Sequence, residues 1–474
     1  MMMMDSSSSL SDVSSKIPDD ILIDILSRLS MKEAARTSVL SHNWQNLWKL
    51  YSGCLDFDDL GISKKLLYKG ERDFHAERTR YVEWVNQVLV SHQAPSIQQF
   101  RAHFDLDKDH SSVIESWIQF AAAKRVRRLE LDLSPLFFEV KELEEIYNLP
   151  IQLLGELNLK LLTSLRLNAV NVSEEHVLGF LSECPLLEEL SITGAPSLRK
   201  LKVVGGGNLK LKHLEIMGCL KLARLEVSGA RSLASFKYEE RFFNMTRLRA
   251  YMHFQDVPQL SSAYFGRGSY SLHLATTLFK ELPFPISQLR MLSLDTFLLA
   301  FNMSLVLHEE FPQFTNLRHL ELAFGLGICD EQQGIFEGLF LRASPRLHKL
   351  VLKYDRGIPQ KNYLYTTRIS VGFGETQEQL AKGCKYECLK EVEFLGWNGL
   401  TADTELFTHL IEAAGSLEKV TVDPRNPFPD KFLEERILSL PKVITSMQDA
   451  RDRARDRARD LEAKLSPATK LVVL

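Results

Sequence analysis

The sequence predicts an α/β fold: a small three-helix module, then an irregular solenoid with parallel strands, then a strand–helix–strand region that closes it. Three observations carry that prediction. A six-residue pattern, apolar-x-x-apolar-x-apolar, recurs from residue 126 almost to the carboxyl terminus. The gaps between its copies are either too short to hold a helix or long enough for one. The first fifty residues show three short segments with helix-start signals and apolar residues at helical spacing.

The helices come first. In "IPDDILIDILSRL", Pro18 is expected at the first helical position, where the missing N–H costs nothing, and Asp19 and Asp20 complement the helix dipole. Ile21, Leu22, Ile25, Leu26 and Leu29 recur at helical spacing and form one broad apolar face. Ser30 and Glu33 fit a capping box that opens a second helix, "MKEAARTSVL". Ser41 is the expected N-cap of a third, "SHNWQNLW", which sets Trp44 and Trp48 one turn apart with Leu47 beside them. A unit of roughly 40 residues buries too little surface to stand alone without metal, disulfides or association. Yet it holds two of the chain's five tryptophans. Each indole removes about 150–250 Å² from water when buried, worth about 4–6 kcal/mol gross. That surface must be covered either by the rest of the chain or by a partner protein.

The strands follow. The pattern reads "VRRLEL" (126–131), "LTSLRL" (162–167), "LEELSI" (187–192), "LRKLKV" (198–203), "LKHLEI" (211–216) and "LARLEV" (222–227). More distant copies are "LASFKY" (233–238), "LRMLSL" (289–294), "LRHLEL" (317–322), "LHKLVL" (347–352), "LKEVEF" (389–394) and "LEKVTV" (417–422). This is the strand signature of leucine-rich repeats, in which alternate residues feed a continuous core and their neighbours face solvent. Between Leu187 and Leu233 the copies start every 11–13 residues, which predicts coils with two strands each and corners at Gly194, Gly205, Gly218 and Gly229. Elsewhere the wider gaps admit a helix, as in "EEHVLGFLSECPLLEELSI" (174–192), "FEGLFLRASPRLHKLVL" (336–352), "FTHLIEAAGSLEKVTV" (407–422) and, more loosely, "ESWIQFAAAKRVRRLEL" (115–131). Near the end, "DARDRARDRARD" (449–460) sets Asp and Arg on adjoining turns of a solvated helix. The terminal "KLVVL" is expected to pair with the last coil and close its edge.

Composition narrows the function. A net charge of −3 gives no general attraction to nucleic acid or anionic membrane. No apolar run approaches the roughly 18 residues of a membrane span, and the amino terminus lacks the basic and apolar regions of a signal peptide. The sequons at Asn171, Asn244 and Asn302 therefore carry no expectation of glycosylation. Six scattered cysteines form no disulfide framework, and "CKYEC" (Cys384, Cys388) has no second ligand pair. His308 and Glu309 begin a zincin motif that Pro312 interrupts, and "GFGETQ" (372–377) lacks the third glycine of a dinucleotide fingerprint. "KRVRR" (124–128) leads into a repeat strand and reads as its solvated flank rather than an import signal. No catalytic residue, metal ligand or cofactor site is expected.

The stretch "IPDDILIDILSRLSMKEAARTSVLSHNWQNLW" resembles an F-box, the module that docks on a Skp-type adaptor of cullin-based ubiquitin ligases. Ile17 replaces the commoner leucine before the proline, and His42 and Asn43 stand where basic residues are usual. The helix-turn-strand repeats resemble those of plant F-box/leucine-rich-repeat proteins, and "CLKEVEFLGWNGL" with "HLIEAAGSLEKVTVDPRNPF" is similar to the FBD domain that follows such repeats. The resemblance implies a disordered tail (1–14), an F-box (15–60), a leucine-rich-repeat solenoid (61–385) and an FBD-like region (386–474). It also implies adaptor contacts at Pro18, Ile21, Leu22, Ile25, Val39, Trp44, Leu47 and Trp48, with Ile17, Leu29 and Leu40 completing the module's apolar set. A target protein would meet outward residues of concave strands: Glu189, His213, Glu215, Lys237, His319, Glu321 and Lys349, or Lys200, Lys202 and Arg224 if the other strands are concave. The function so implied is substrate recognition, with the adaptor linking the chain to cullin and RING subunits in the cytoplasm or nucleus. The rival expectation is a repeat-based scaffold or ligand sensor whose helices merely cap the solenoid.

Overall fold

The computed structural model describes residues 17–40, 42–58, 71–135, 144–206, 208–239, 250–266, 286–296, 312–324, 340–354, 385–397, 399, 401–425, 427 and 441–474. The expectations for the tail (1–14), the Ser41 cap, Cys384, the sequons at Asn244 and Asn302, the His308–Glu309 pair and residues 372–377 lie outside the described residues. The chain forms two compact units, Met1–Leu225 and Glu226–Leu474.

The first unit opens with three helices, α1 (Asp19–Arg28), α2 (Met31–Thr37) and α3 (His42–Leu47). Pro18 sits one residue outside α1, not inside it, at φ −58° and ψ 144°. Its carbonyl accepts the N–H groups of Ile21 and Leu22, so the helix starts on schedule with the ring still harmless. The capping box of α2 is present: Ser30 Oγ accepts from the Glu33 N–H at 3.3 Å while the Glu33 carboxylate accepts from the Ser30 N–H at 3.0 Å.

Residues 54–58, counted above with the helical module, are the first strand of a sheet. Strand β1 (Cys54–Asp58) pairs in parallel with β2 (Gln99–His103), which is reached through α4 (Glu71–Ser91). Then come α5 (Ser111–Ala123), β3 (Arg128–Asp132), β4 (Tyr147–Asn148), α6 (Ile151–Glu156), β5 (Ser164–Asn168), β6 (Val170–Asn171), α7 (Glu174–Glu183), β7 (Glu189–Thr193), β8 (Lys200–Val204) and β9 (His213–Met217). The main sheet runs β1-β2-β3-β5-β7-β9, parallel throughout. In β1, β2 and β9 the second and fourth residues are buried and their neighbours are not, so each strand sends one face into the core. Because β7 pairs directly with β9, the intervening β8 lies on another face of its coil. The 11–13-residue spacing had predicted that arrangement.

An aromatic cluster anchors α4 and α5 to the sheet. Tyr81 stacks on Phe104 at 4.5 Å between ring centres and donates its hydroxyl to the Phe57 carbonyl at 2.7 Å. The indole of Trp117 donates to Asn86 at 2.8 Å. All of these rings are buried, and each polar atom that the cluster buries here has found a partner.

The second unit carries most of β10 (Arg224–Ser228), then β11 (Ser235–Glu239), β12 (Tyr251–Gln255), β13 (Ser262–Gly266), β14 (Met291–Thr296), β15 (His319–Phe324), β16 (Lys349–Tyr354), β17 (Glu391–Leu395), α8 (Thr401–Ala413), β18 (Lys419–Asp423), α9 (Pro441–Asp460) and β19 (Lys470–Val473). Its main sheet runs β11-β13-β14-β15-β16-β17-β18-β19, again parallel, while β12 pairs with β10. Gly194, Gly218 and Gly229 hold φ between 61° and 69°, the left-handed corner that the two-strand coils require; Gly205 does not. The terminal strand pairs with β18, as the edge argument expects.

The charged helix departs from expectation. It begins at Pro441, earlier than the Asp/Arg run, and it is solvated on one side only. Ala454 and Ala458, one turn apart, are fully buried. The Ala454 carbonyl accepts from the Trp397 indole at 3.2 Å, and Arg457 donates to the Gly399 carbonyl at 2.7 Å. Small side chains inside a run of charges let the backbone sit close to a large ring, which a charge count does not reveal.

Candidate functional site

The three helices sort their apolar residues between an inner and an outer set. Leu22, Leu26, Met31, Ala34 and Leu47 fill the module's core, Leu22 at 1% and Leu47 at 2% exposure. Two expected adaptor contacts are thereby reassigned: Leu22 and Leu47 are core residues, sealed by their own neighbours. On the opposite side of α1, Ile21 is 49% exposed and Ile25 44%, four residues apart and so on one stripe. Beyond the end of α2, Val39 is 85% and Leu40 66% exposed. Pro18 is exposed, and Trp44 and Trp48 are half-buried. The outer set, Pro18, Ile21, Ile25, Val39, Leu40 and Trp44, draws on all three helical segments, and it is far more apolar than a small polar-flanked module needs on its surface.

Trp48 answers for the second indole. It lies in a short 3₁₀ turn and its ring centre is 6.1 Å from that of Tyr51. Tyr51 is completely buried; its hydroxyl donates to the Leu29 carbonyl at 2.9 Å and accepts from the Cys54 N–H at 3.1 Å. Burial pushes its phenol up to about 12. Ser27 and Ser52 join by their hydroxyls at 2.9 Å, the Ser52 N–H donates to Ser27 Oγ at 3.0 Å, and Gln93 N–H donates to the Lys49 carbonyl at 2.8 Å. His92 Nε2 donates to the Tyr51 carbonyl at 2.7 Å. The module is thus pinned to the first strand of its unit through its inner side, with the outer set left facing away from those bonds.

The outward strand positions named above have different fates. In the first unit Glu189 and His213 are paired positions on β7 and β9, with Glu215 two residues along. Glu189 is already engaged: it forms an ion pair with Arg166 and accepts from Ser164 Oγ at 2.8 Å. In the second unit His319 and Lys349 face each other across β15 and β16. Glu321 pairs with Lys353, and Lys349 reaches Glu393 at 2.7 Å and Glu391 at 3.7 Å. The hydrogen bond it donates to Glu393 holds the Lys349 ammonium above its ordinary value. Burial, reinforced by the Lys349 charge, pushes the His319 imidazole down, and its Nε2 lacks a hydrogen-bond partner. Lys237 is exposed on β11, opposite Tyr264. Lys200, Lys202 and Arg224 lie off these sheets, on β8 and β10.

Among the described residues no group of three His, Cys, Asp or Glu side chains could hold a metal, and no helix is long and apolar enough to cross a membrane. Burial pushes the Cys184 thiol up to about 12 and the Cys54 and Cys219 thiols up to about 11, so each stays protonated at neutral pH.

Leu40 was not among the expected contacts. Its signal was its place: with Val39 it follows the last turn of α2, where no helical neighbour remains to cover it.

Residues 14–52 match the F-box domain, and residues 155–474 match the family described as At1g61320/AtMIF1, LRR domain. Similar Arabidopsis thaliana proteins include F-box/LRR-repeat protein At2g42730, 33% identical over 38% of this chain and 42% of its own, and F-box/FBD/LRR-repeat protein At4g00160, 30% identical over 38% and 40%. A third, F-box/LRR-repeat protein At3g03360, is 30% identical over 38% of both. The matched stretches span about two-fifths of those relatives' length.

Proposed function

This chain belongs to the F-box/leucine-rich-repeat family, and from that premise we propose that it is the substrate-recognition subunit of a Skp–cullin–F-box ubiquitin ligase. The F-box attaches it to a Skp-type adaptor, and through that to cullin and RING subunits, while the repeats hold a target protein. Other subunits perform the transfer. This chain contributes proximity, turning an encounter between target and ligase into a tethered one.

The observation that carries the proposal is the outer apolar set, Ile21, Ile25, Val39 and Leu40 with half-buried Trp44, left uncovered by a module whose inner set is complete. An aliphatic stripe flanked by an aromatic suits a groove on another protein better than it suits water. We assign adaptor contact to that set, with Pro18 and the exposed edge of Trp48 beside it. The carboxyl-terminal region from 386 is FBD-like on this reading, and target contacts lie on the outward strand positions. Purified full-length chain should retain recombinant Skp-type adaptor in a pull-down, and Ile21→Glu/Val39→Glu should abolish retention without changing the melting temperature. A folded chain with no adaptor affinity overturns the proposal.

A second reading, in which the helices only cap the repeats, draws on the hydrogen bonds that join Ser27 to Ser52, the Lys49 carbonyl to the Gln93 N–H and the Tyr51 carbonyl to His92. It expects loss of solubility when residues 1–50 are deleted and no response of tryptophan fluorescence to the adaptor.

A further inference from the structure

One stretch of this acidic chain is strongly basic. Between Arg199 and Arg224 there are seven lysines and arginines against a single acid, Glu215, in a protein of net charge −3. The fold brings part of that charge onto one surface. Strand β8 alternates exposed and buried residues, so Lys200, Lys202 and Val204 share its outward side. The Ala223 N–H donates to the Arg199 carbonyl at 2.7 Å, which sets Arg224 beside Lys200. Arg199 is exposed at the strand's start, and half-buried Lys221 lies in the turn before Arg224. Among the described residues Arg199, Lys200, Lys202 and Lys221 form no ion pair. Glu226 follows two residues after Arg224 on β10, but those four cations have no ion partner of their own; like charges held together repel one another, and folding alone gives no reason to collect them. The contrast lies in the main sheets, where Glu189, Glu321 and Lys349 are each neutralised by a neighbour.

We propose that this face of β8 and the start of β10 docks an acidic segment of a protein in extended conformation. The proposal deepens the reading of the repeats as the target-holding part and rests on it. Spacing supports an extended occupant. Outward residues of one strand repeat at about 6.6 Å, and alternate side chains of an extended peptide repeat at the same interval. Glutamates at every second position therefore meet Lys200 and Lys202 in step, and the next side chain meets Val204, which is 57% exposed and apolar. Leu220, also exposed, extends the apolar margin beside Lys221. Nucleic acid fits less well. It favours longer basic tracks with aromatic rings for base stacking, and no Phe, Tyr or Trp occurs between Phe180 and Phe236.

The test is fluorescence anisotropy on the full-length chain at low and physiological salt. The probe is a fluorescein-labelled peptide of alternating glutamate and threonine with one central leucine. Binding should weaken at least about tenfold in Lys200→Glu/Lys202→Glu, recover in Lys200→Arg/Lys202→Arg, and stay unchanged in Lys108→Glu, an exposed lysine elsewhere in the same unit. Melting temperatures of the exposed-site variants check that folding is intact. Undetectable peptide binding, binding indifferent to the double reversal, or tighter binding of a single-stranded oligonucleotide or of phosphatidylserine vesicles each overturn the proposal. Adaptor retention measured on the same samples separates the two levels. Retained adaptor with no peptide response removes only this inference, whereas lost adaptor affinity in the unmodified chain removes the reading beneath it.

Discussion

Truncating two outer residues gives the most direct measure of the docking face. Complete burial of a valine or isoleucine side chain is worth about 1.5–3 kcal/mol. Scaled by the exposed fractions of Ile21 (49%) and Val39 (85%), the part available to a partner is roughly 2–4 kcal/mol for the pair. Ile21→Ala/Val39→Ala should therefore weaken adaptor binding by about 30- to 700-fold. Isothermal titration of the purified chain with recombinant Skp-type adaptor measures it, with thermal melting run alongside. The internal comparison is Leu22→Ala, one residue away and fully buried, whose cost should fall on folding. If the double variant loses less than about threefold in affinity while melting normally, the outer set is not the docking face.

The inner set makes its own prediction: Leu22→Ala or Leu26→Ala should destabilise the folded chain by about 2–5 kcal/mol, read from the shift in a denaturant transition. At the other end, Trp397→Ala should cost about 3–5 kcal/mol, since it empties a buried site and removes the donor to the Ala454 carbonyl. The pH dependence includes a contribution from His92. Burial, offset in part by the hydrogen bond to Tyr51, pushes its imidazole below the ordinary value. Its contribution is therefore intact above the unfolded value near 6.5 and is lost as pH falls below it. The melting temperature should drop between pH 7 and 5 partly through this group, and His92→Gln should flatten that drop. Lower still, Asp107 acts: burial alone would raise its carboxyl, but hydrogen bonding to His110 and the Arg78 guanidinium outweigh it and hold the group at about 2. Its stabilisation is present above the unfolded value near 4 and disappears as pH falls through about 2, so Asp107→Asn should reduce the acid sensitivity of the first unit across that window.

Much of this architecture was legible in the chain. Period-two alternation marked the strands from Arg128 onward because the parallel sheet buries one face of each in turn. The short spacing after Leu187 gave two-strand coils because 11–13 residues cannot hold a strand and a helix together. Ser30 and Glu33 announced α2 because their side chains must satisfy orphan N–H groups at its start. The exceptions share a cause. Strand β13 was missed because "LSSAYF" places alanine where the pattern expects a large aliphatic residue, and the large rings of Tyr264 and Phe265 disguise the rest. Strands β1 and β2 were missed because phenylalanine, alanine and charge stand in for the leucines.

What the sequence determined by itself is which residues are apolar and with what period, and hence that these helices, strands and corners exist. It could not say that Leu22 turns inward and Ile21 outward, because a helical stripe spanning more than 100° has two flanks and only the crossing of neighbouring helices covers one of them. Nor could it separate paired charges from lone ones. Glu321 and Lys200 look alike as outward strand residues, but Lys353 pairs with the first and, among the described residues, no carboxylate pairs with the second. Those decisions belong to contacts between residues distant in the chain, which no local period encodes.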